Sequence, residues 1–217
     1  MQIQPGSKLV MIGDSITDAG RARPVGEGRG EALGKGYVSL VNALFTAFYP
    51  EQNIRIINMG TSGNTVRDLE KRWQTDVLDL RPDWLSVMIG INDVWRQFDS
   101  PHRPELGVPL DEYEATYRRI LEAVRPSLQG LVLMTPFYIE PQTSDAMRAR
   151  MDEYSAVVRN LAGEYDAVLV DTQAAYDRVL EHLYPALLAW DRVHPGVEGH
   201  MVIARAFAQA IGFDWQR

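Results

Sequence analysis

Ser15, Asp191 and His194 are the residue types that together carry acyl transfer. That chemistry needs a hydroxyl that loses its proton as it attacks, a base to take the proton, and donors to hold the oxyanion. Ser15 stands in Gly13-Asp14-Ser15-Ile16, directly after the apolar run Leu9-Val10-Met11-Ile12. His194 can be the base, because an imidazole ordinarily titrates near a pKa of about 6.5. Asp191, three residues earlier, can orient the imidazole and stabilise its charged form. The oxyanion donors are the backbone N–H of Ser15, the N–H of a glycine in the Gly60–Gly63 turn, and the side-chain amide of Asn92. Each residue also has a plainer reading. Ser15-Ile16-Thr17-Asp18 fits a capping box, Asp191-Arg192-Val193-His194 fits a surface loop, Gly63 fits a tight turn, and Asn92 fits a helix cap. Taken singly, the plainer readings prevail. His102, His182 and His200 follow no acid at this spacing, and His200 falls in the last helical stretch.

The elements that must bring these residues together alternate along the chain. Strands are predicted at Leu9–Ile12, Ile54–Ile57, Trp84–Ile89, Leu131–Met134 and Val168–Asp171. Helices are predicted over 37–49, 66–80, 111–124, 145–164, 172–180 and 197–211, from apolar residues at helical spacing and from stops such as Pro50 and Arg81-Pro82. Asp111, with Glu114 three residues on, reads as the cap of the third. Alternation of this kind implies a parallel sheet of five strands with helices on both faces, a three-layer α/β/α sandwich. No linker or repeat interrupts it, so residues 1–217 are expected to form one domain. Ligands gather at the carboxyl ends of parallel strands, and the polar motifs fall at or after those ends or in the last loop.

The Gly-rich stretch 24–36 lacks a phosphate-binding pattern. Gly34-Lys35 is followed by Gly36 rather than Ser or Thr, and Gly28-Arg29-Gly30 leads to Leu33 rather than glycine. It reads as a flexible surface loop that could rim the site. Net charge is −7 without a basic cluster, which argues against nucleic acid and anionic membrane as partners. The absence of cysteine excludes disulfides, thiolate metal sites and cysteine catalysis. The start of the chain lacks the regions of a signal peptide, and no apolar run approaches the roughly 18 residues of a membrane span. A cytoplasmic location is expected.

Together, Gly13-Asp14-Ser15, Ser62-Gly63-Asn64-Thr65, Gly90-x-Asn92-Asp93 and Asp191-x-x-His194 resemble, in order and location, the motifs of the SGNH hydrolases, also called GDSL-type esterases and lipases. The resemblance covers nearly the whole chain. It implies a flavodoxin-like fold and a serine esterase without cofactor or metal. Ser15 would be nucleophile and first oxyanion donor, Gly63 and Asn92 the other donors, and His194 and Asp191 the base and its partner. Gly60 competes with Gly63, which is preferred because it sits in the S-G-x-T turn. Ile12–Asp18, Gly63–Leu69, Gly90–Gln97 and Ala189–Pro195 look like bacterial intracellular acetylxylan esterases of this superfamily. That likeness implies acetylated xylo-oligosaccharide, or another small acyl ester, as substrate. The segment from Asp99 to Leu110 departs most from the family pattern. Expected substrate-binding residues are Trp190, Trp95, Tyr138 and Asp14; packing around the site is the alternative for the aromatics.

Other functions fit parts of the chain. A lysophospholipase or thioesterase would use the same serine on a longer acyl group. A metal-dependent phosphoesterase would draw on Asp14, Asp18, Asn92, Asp93, Asp191 and His194. A carbohydrate-binding protein would keep the fold without turnover. The resemblance also implies a homo-oligomer, with Tyr184, Leu187 and Leu188 either at its interface or in the core.

Overall fold

The computed structural model describes residues 1–217. Five strands, β1 (Lys8–Gly13), β2 (Arg55–Gly60), β3 (Trp84–Met88), β4 (Gly130–Met134) and β5 (Val168–Val170), form one parallel sheet in the order β2-β1-β3-β4-β5. The helices are α1 (Ser15–Asp18), α2 (Tyr37–Phe48), α3 (Val66–Trp73), α4 (Ile91–Asp99), α5 (Leu110–Val124), α6 (Ala146–Glu164), α7 (Thr172–Leu180) and α8 (Val197–Ala210). They cover both faces of the sheet: α2 packs with α8, while α3, α5 and α6 pack in series. This is the expected three-layer sandwich. Right-handed crossovers require it, because β2 lies on one side of β1 and the later strands lie on the other.

A parallel strand covered on both faces needs apolar residues at every position rather than at alternate ones. Leu9, Val10, Met11 and Ile12 are accordingly all fully buried, within one contiguous core of 58 hydrophobic residues. Register sets the active edge. Gly13 lies opposite both Gly60 and Met88, so β1, β2 and β3 end level. The strand order reverses at β1, which opens a crevice between the ends of β1 and β3. No helix is long and apolar enough to cross a membrane.

Four local expectations change. Helix α5 begins at Leu110 behind Pro109, and Asp111 makes no capping bond. The predicted helix over 66–80 ends as regular α at Trp73 and widens into a π-turn over Gln74–Leu78, closed by Asp79 N–H on Gln74 O at 2.9 Å. The stretch 24–36 is not a free loop. Gly26 pairs with Asn58 on the β2 edge through two backbone bonds of 2.8 and 3.2 Å, and Leu33 and Gly34 are buried. Helix α4 lies outside the predicted helices, although Asn92 fits a helix cap: Asn92, Asp93, Arg96 and Gln97 mask its apolar positions Ile91, Val94 and Trp95.

Candidate active site

Ser15 is the first residue of α1, one step beyond the helix cap. The cap is Asp14, whose carboxylate accepts from Ile16 N–H at 3.0 Å. Ser15 is therefore freed from the capping duty that its S-x-x-[DE] context allows. Its Oγ lies 2.9 Å from His194 Nε2. The imidazole Nδ1 lies 2.6 Å from Asp191 Oδ2. Asp191 Oδ1 accepts the backbone N–H groups of Val193 and His194 at 3.0 and 2.8 Å. One carboxylate thus shapes its own turn with one oxygen and aims the imidazole with the other, which is what the three-residue spacing permits. Burial pushes the Asp191 carboxyl up, but the His194 ring and the two amides outweigh it and hold the group below its ordinary range.

The loop carrying Asp191 and His194 is braced from behind. Arg192 pairs with the buried carboxylate of Glu140, and its carbonyl accepts from Ile139 N–H at 3.0 Å. Trp95 meets the His194 ring edge-to-face at a centroid distance of 5.8 Å. A second contact of Trp95, with the Arg96 guanidinium over its ring at 4.9 Å, fixes the indole further.

Gly63 sits at φ +80°, a conformation that favours glycine, and its N–H has no hydrogen-bond partner. The Gly60 N–H is taken by Asn58 Oδ1 at 2.8 Å. Asn92, on the first turn of α4, donates one side-chain proton to Asn64 O at 2.9 Å. The Ser15 N–H, at a helix start, has no intrahelical acceptor. Ser15, Gly63 and Asn92 thus follow β1, β2 and β3 onto one edge of the sheet.

The expected substrate contacts divide. Trp190 is 90% exposed beside Asp191, and Tyr138 is half-buried near Arg192. Trp95 also packs on the histidine. Asp14 is 1% exposed, and the one bond its carboxylate makes is to the Ile16 N–H at the helix start. Burial pushes its pKa up to about 7, against the Ile16 N–H and the nearby His194 and Arg72, which lower it. Asp93 is buried too. Burial likewise raises it to about 7; its Oδ1 accepts Val66 N–H at 2.9 Å, while Oδ2 has no partner. No three His, Asp or Glu side chains gather as a metal-ligating group. Among the other histidines, His102 and His182 are exposed, while buried His200 on α8 accepts Tyr37 N–H at 3.2 Å.

Two residues that hold this edge together have no role in the sequence reading: Asn64, which appears there only as a filler position of the Gly63 motif, and Arg72. Asn64 receives Asn92, and Arg72, in the last turn of α3, bonds to Asn64, Met59 and Gly13. A basic residue near a helix C-terminus ordinarily reads as a dipole partner.

Comparison with known proteins agrees with this geometry. The model of the GDSL-like lipase/acylhydrolase family matches residues 11–202. An acetylxylan esterase of Geobacillus stearothermophilus is 58% identical over 217 residues, covering 100% of this chain and 99% of the relative. The crystal structure of that organism's acetylxylan esterase Axe2 superposes with a TM-score of 0.99 at 58% identity, over 100% of this chain and 99% of the other. Solved forms of Axe2 include catalytic mutants S15A, D191A and H194A. Positions 15, 191 and 194 carry the same residue types here. LAE5, an alpha/beta hydrolase enzyme from the metagenome of Lake Arreo in Spain, aligns with a TM-score of 0.97 and 53% identity over 98% of each chain.

Proposed function

The chain belongs to the GDSL-like lipase/acylhydrolase family and is a carboxylic ester hydrolase, and on that premise we propose that it removes acetyl groups from acetylated xylo-oligosaccharides through Ser15, His194 and Asp191. The observation that carries the assignment is the unbroken chain from Ser15 Oγ through the His194 ring to Asp191, at 2.9 and 2.6 Å. His194 Nε2 takes the Ser15 proton as Oγ attacks the acetyl carbonyl. Asp191 holds the Nδ1 proton and the charge that the ring acquires. The oxyanion is held by the N–H groups of Ser15 and Gly63 and by the second amide proton of Asn92. Collapse of the tetrahedral intermediate expels the sugar alcohol, which leaves with the proton from His194. Water, deprotonated by the same histidine, then attacks the acetyl-enzyme, releases acetate and restores Ser15.

The carbohydrate is proposed from the acetylxylan esterase relatives, with the exposed face of Trp190 as its stacking platform. Trp95 serves to hold His194. A homo-oligomer belongs to the same reading. Tyr184 and Leu187 are exposed on the stretch that leads to Trp190, whereas Leu188 is buried in the core.

The test compares acetate release from acetylated xylo-oligosaccharide by wild type and Ser15→Ala, with p-nitrophenyl acetate and an octanoate ester alongside. Wild type is expected to prefer acetyl and to act on the sugar, and Ser15→Ala is expected to fold with activity near background. Preference for the octanoate would move the substrate to lipids. Substantial turnover by Ser15→Ala would remove the nucleophile.

A further inference from the structure

We propose that Arg72 is a positioning residue for the oxyanion site, setting the distance between the Gly63 turn and the Ser15 turn by holding both; the inference rests on the Ser15, Gly63 and Asn92 roles given above.

Gly63 needs such a device. It is exposed, a side chain at its Cα would meet no atom within 4 Å, and its own N–H makes no bond; the backbone gives its turn only the Asn64 N–H to Thr61 O closure at 3.3 Å and the Thr61 N–H to Gly13 O bond at 3.0 Å. An unsupported glycine at a loop tip is mobile, yet an oxyanion donor must be held in place before reaction begins. The support comes through its two neighbours. On one side, Ser62 N–H and Oγ both donate to Asp18 Oδ2, at 3.0 and 2.9 Å. On the other, Asn64 Oδ1 accepts Arg72 Nε at 2.7 Å, and Asn64 O accepts Asn92 Nδ2 at 2.9 Å.

Both supports return to the nucleophile. Asp18 ends α1, which Ser15 begins. Arg72 Nη2 donates to Gly13 O at 2.9 Å, at the end of the strand that leads to Ser15. Its Nη1 donates to Met59 O at the end of β2 and to Asp76 Oδ2, each at 2.7 Å. Three of these four guanidinium bonds therefore tie together the ends of β1 and β2 and the residue after Gly63, and the fourth, to Asp76, holds the side chain itself. A lysine cannot reproduce this, because its ammonium is a single point on a flexible stem. All of these acceptors belong to the protein, so Arg72 acts through Gly63 and Asn92 and does not touch substrate.

The experiment uses full-length Arg72→Ala, Arg72→Lys, Asn64→Ala and Ser15→Ala. Asn64→Ala cuts only the side-chain link to the loop and leaves the bonds of Arg72 to Gly13, Met59 and Asp76 in place. A misplacement of about 1 Å can cost on the order of 10²-fold in rate. The expected result on p-nitrophenyl acetate is a kcat lowered by roughly 10- to 100-fold in Arg72→Ala, Arg72→Lys and Asn64→Ala, with KM within about threefold. Inhibition by a small boronic acid, which forms a tetrahedral adduct on the serine, should weaken by a similar factor. Guanidinium ion at millimolar concentration should restore part of the rate to Arg72→Ala and none to Arg72→Lys. A role limited to fold stability predicts a lower melting temperature but no selective loss of boronate affinity and no rescue. Wild-type kcat in folded Arg72→Ala, or in Asn64→Ala should Arg72→Ala fail to fold, overturns the inference. If Ser15→Ala is inactive at the same time, the serine mechanism stands and only the role of Arg72 falls. If Ser15→Ala stays active, both fall.

Discussion

Asn92 has two side-chain amide protons, and one is already committed. Its bond to Asn64 O at 2.9 Å fixes the amide plane, and Arg96 Nη2 lies 3.4 Å from Oδ1, so the second proton has no protein acceptor and is free for the oxyanion role proposed above. Burial of the residue removes water that would otherwise compete for it. Asn92→Ala should therefore lower kcat by roughly 10²–10³-fold, the usual effect of losing one oxyanion donor. Steady-state kinetics beside a melting curve checks this; a loss below fivefold removes Asn92 from the mechanism. Ser15, Asp191 and His194 were legible as types at a spacing, because a carboxylate three residues before a histidine can close its own turn. Asn64 and Arg72 were not legible. Their roles consist of bonds to carbonyls at the ends of two strands, and no local pattern encodes a carbonyl that tertiary structure brings near.

At the scale of elements, the site depends on how closely β2 approaches α1. A Cβ on Gly60 would stand 2.1 Å from the Asp18 nitrogen and 2.6 Å from its Cα, both backbone atoms that cannot step aside alone. The Gly60 carbonyl accepts Arg21 Nε and Arg23 Nη1 at 2.7 and 3.1 Å, so the strand end is pinned as well. Gly60→Ala should destabilise the fold by about 1–3 kcal/mol, the range for overpacking a filled core. It should also reduce kcat in the molecules that remain folded, since α1 must shift and Ser15 with it. Urea unfolding and activity per folded molecule separate the two effects, and a variant as stable and active as wild type would show that the contact gives way. This junction also explains why β2 extends beyond the expected Ile54–Ile57. The sequence supports a strand to Ile57, whereas the strand runs to Gly60 through fully buried Asn58. The Asn58 amide is satisfied by Thr17 O at 2.6 Å and Leu33 O at 2.8 Å, partners 41 and 25 residues away along the chain. Helix α4 was hidden in a similar way, because polar groups that serve the site occupy its first turn.

Across the whole molecule, five apolar runs alternating with amphipathic stretches were enough to reveal a doubly wound sheet, since layer architecture depends on pattern rather than on individual contacts. Its response to pH was not legible, because that depends on which polar groups the layers bury. Three groups have opposite effects. Burial raises Asp14 and Asp93 from 3.8 to about 7, against the hydrogen bonds that each accepts. Between pH 4 and 7 the folded state holds protons on these carboxyls that the unfolded chain has lost, so their contribution to stability falls as pH rises. His200 runs the other way. Burial, with repulsion from His194, lowers it from 6.5 to about 4, so the unfolded chain binds the proton first and stability is lost as pH falls from 6.5 toward 4. Asp93 isolates the first effect, because it makes no contact with Ser15, His194 or Asp191 among the hydrogen bonds of the site. Asp93→Asn keeps an acceptor for Val66 N–H but cannot ionise. The difference in melting temperature, Asp93→Asn minus wild type, should become more positive from pH 5.5 through 7 to 8.5, as wild type is forced to bury a carboxylate whose Oδ2 has no partner. Circular dichroism melts at the three pH values measure it. A difference that stays constant with pH would mean that Asp93 ionises no less readily in the folded protein than in the unfolded chain, through water reaching Oδ2.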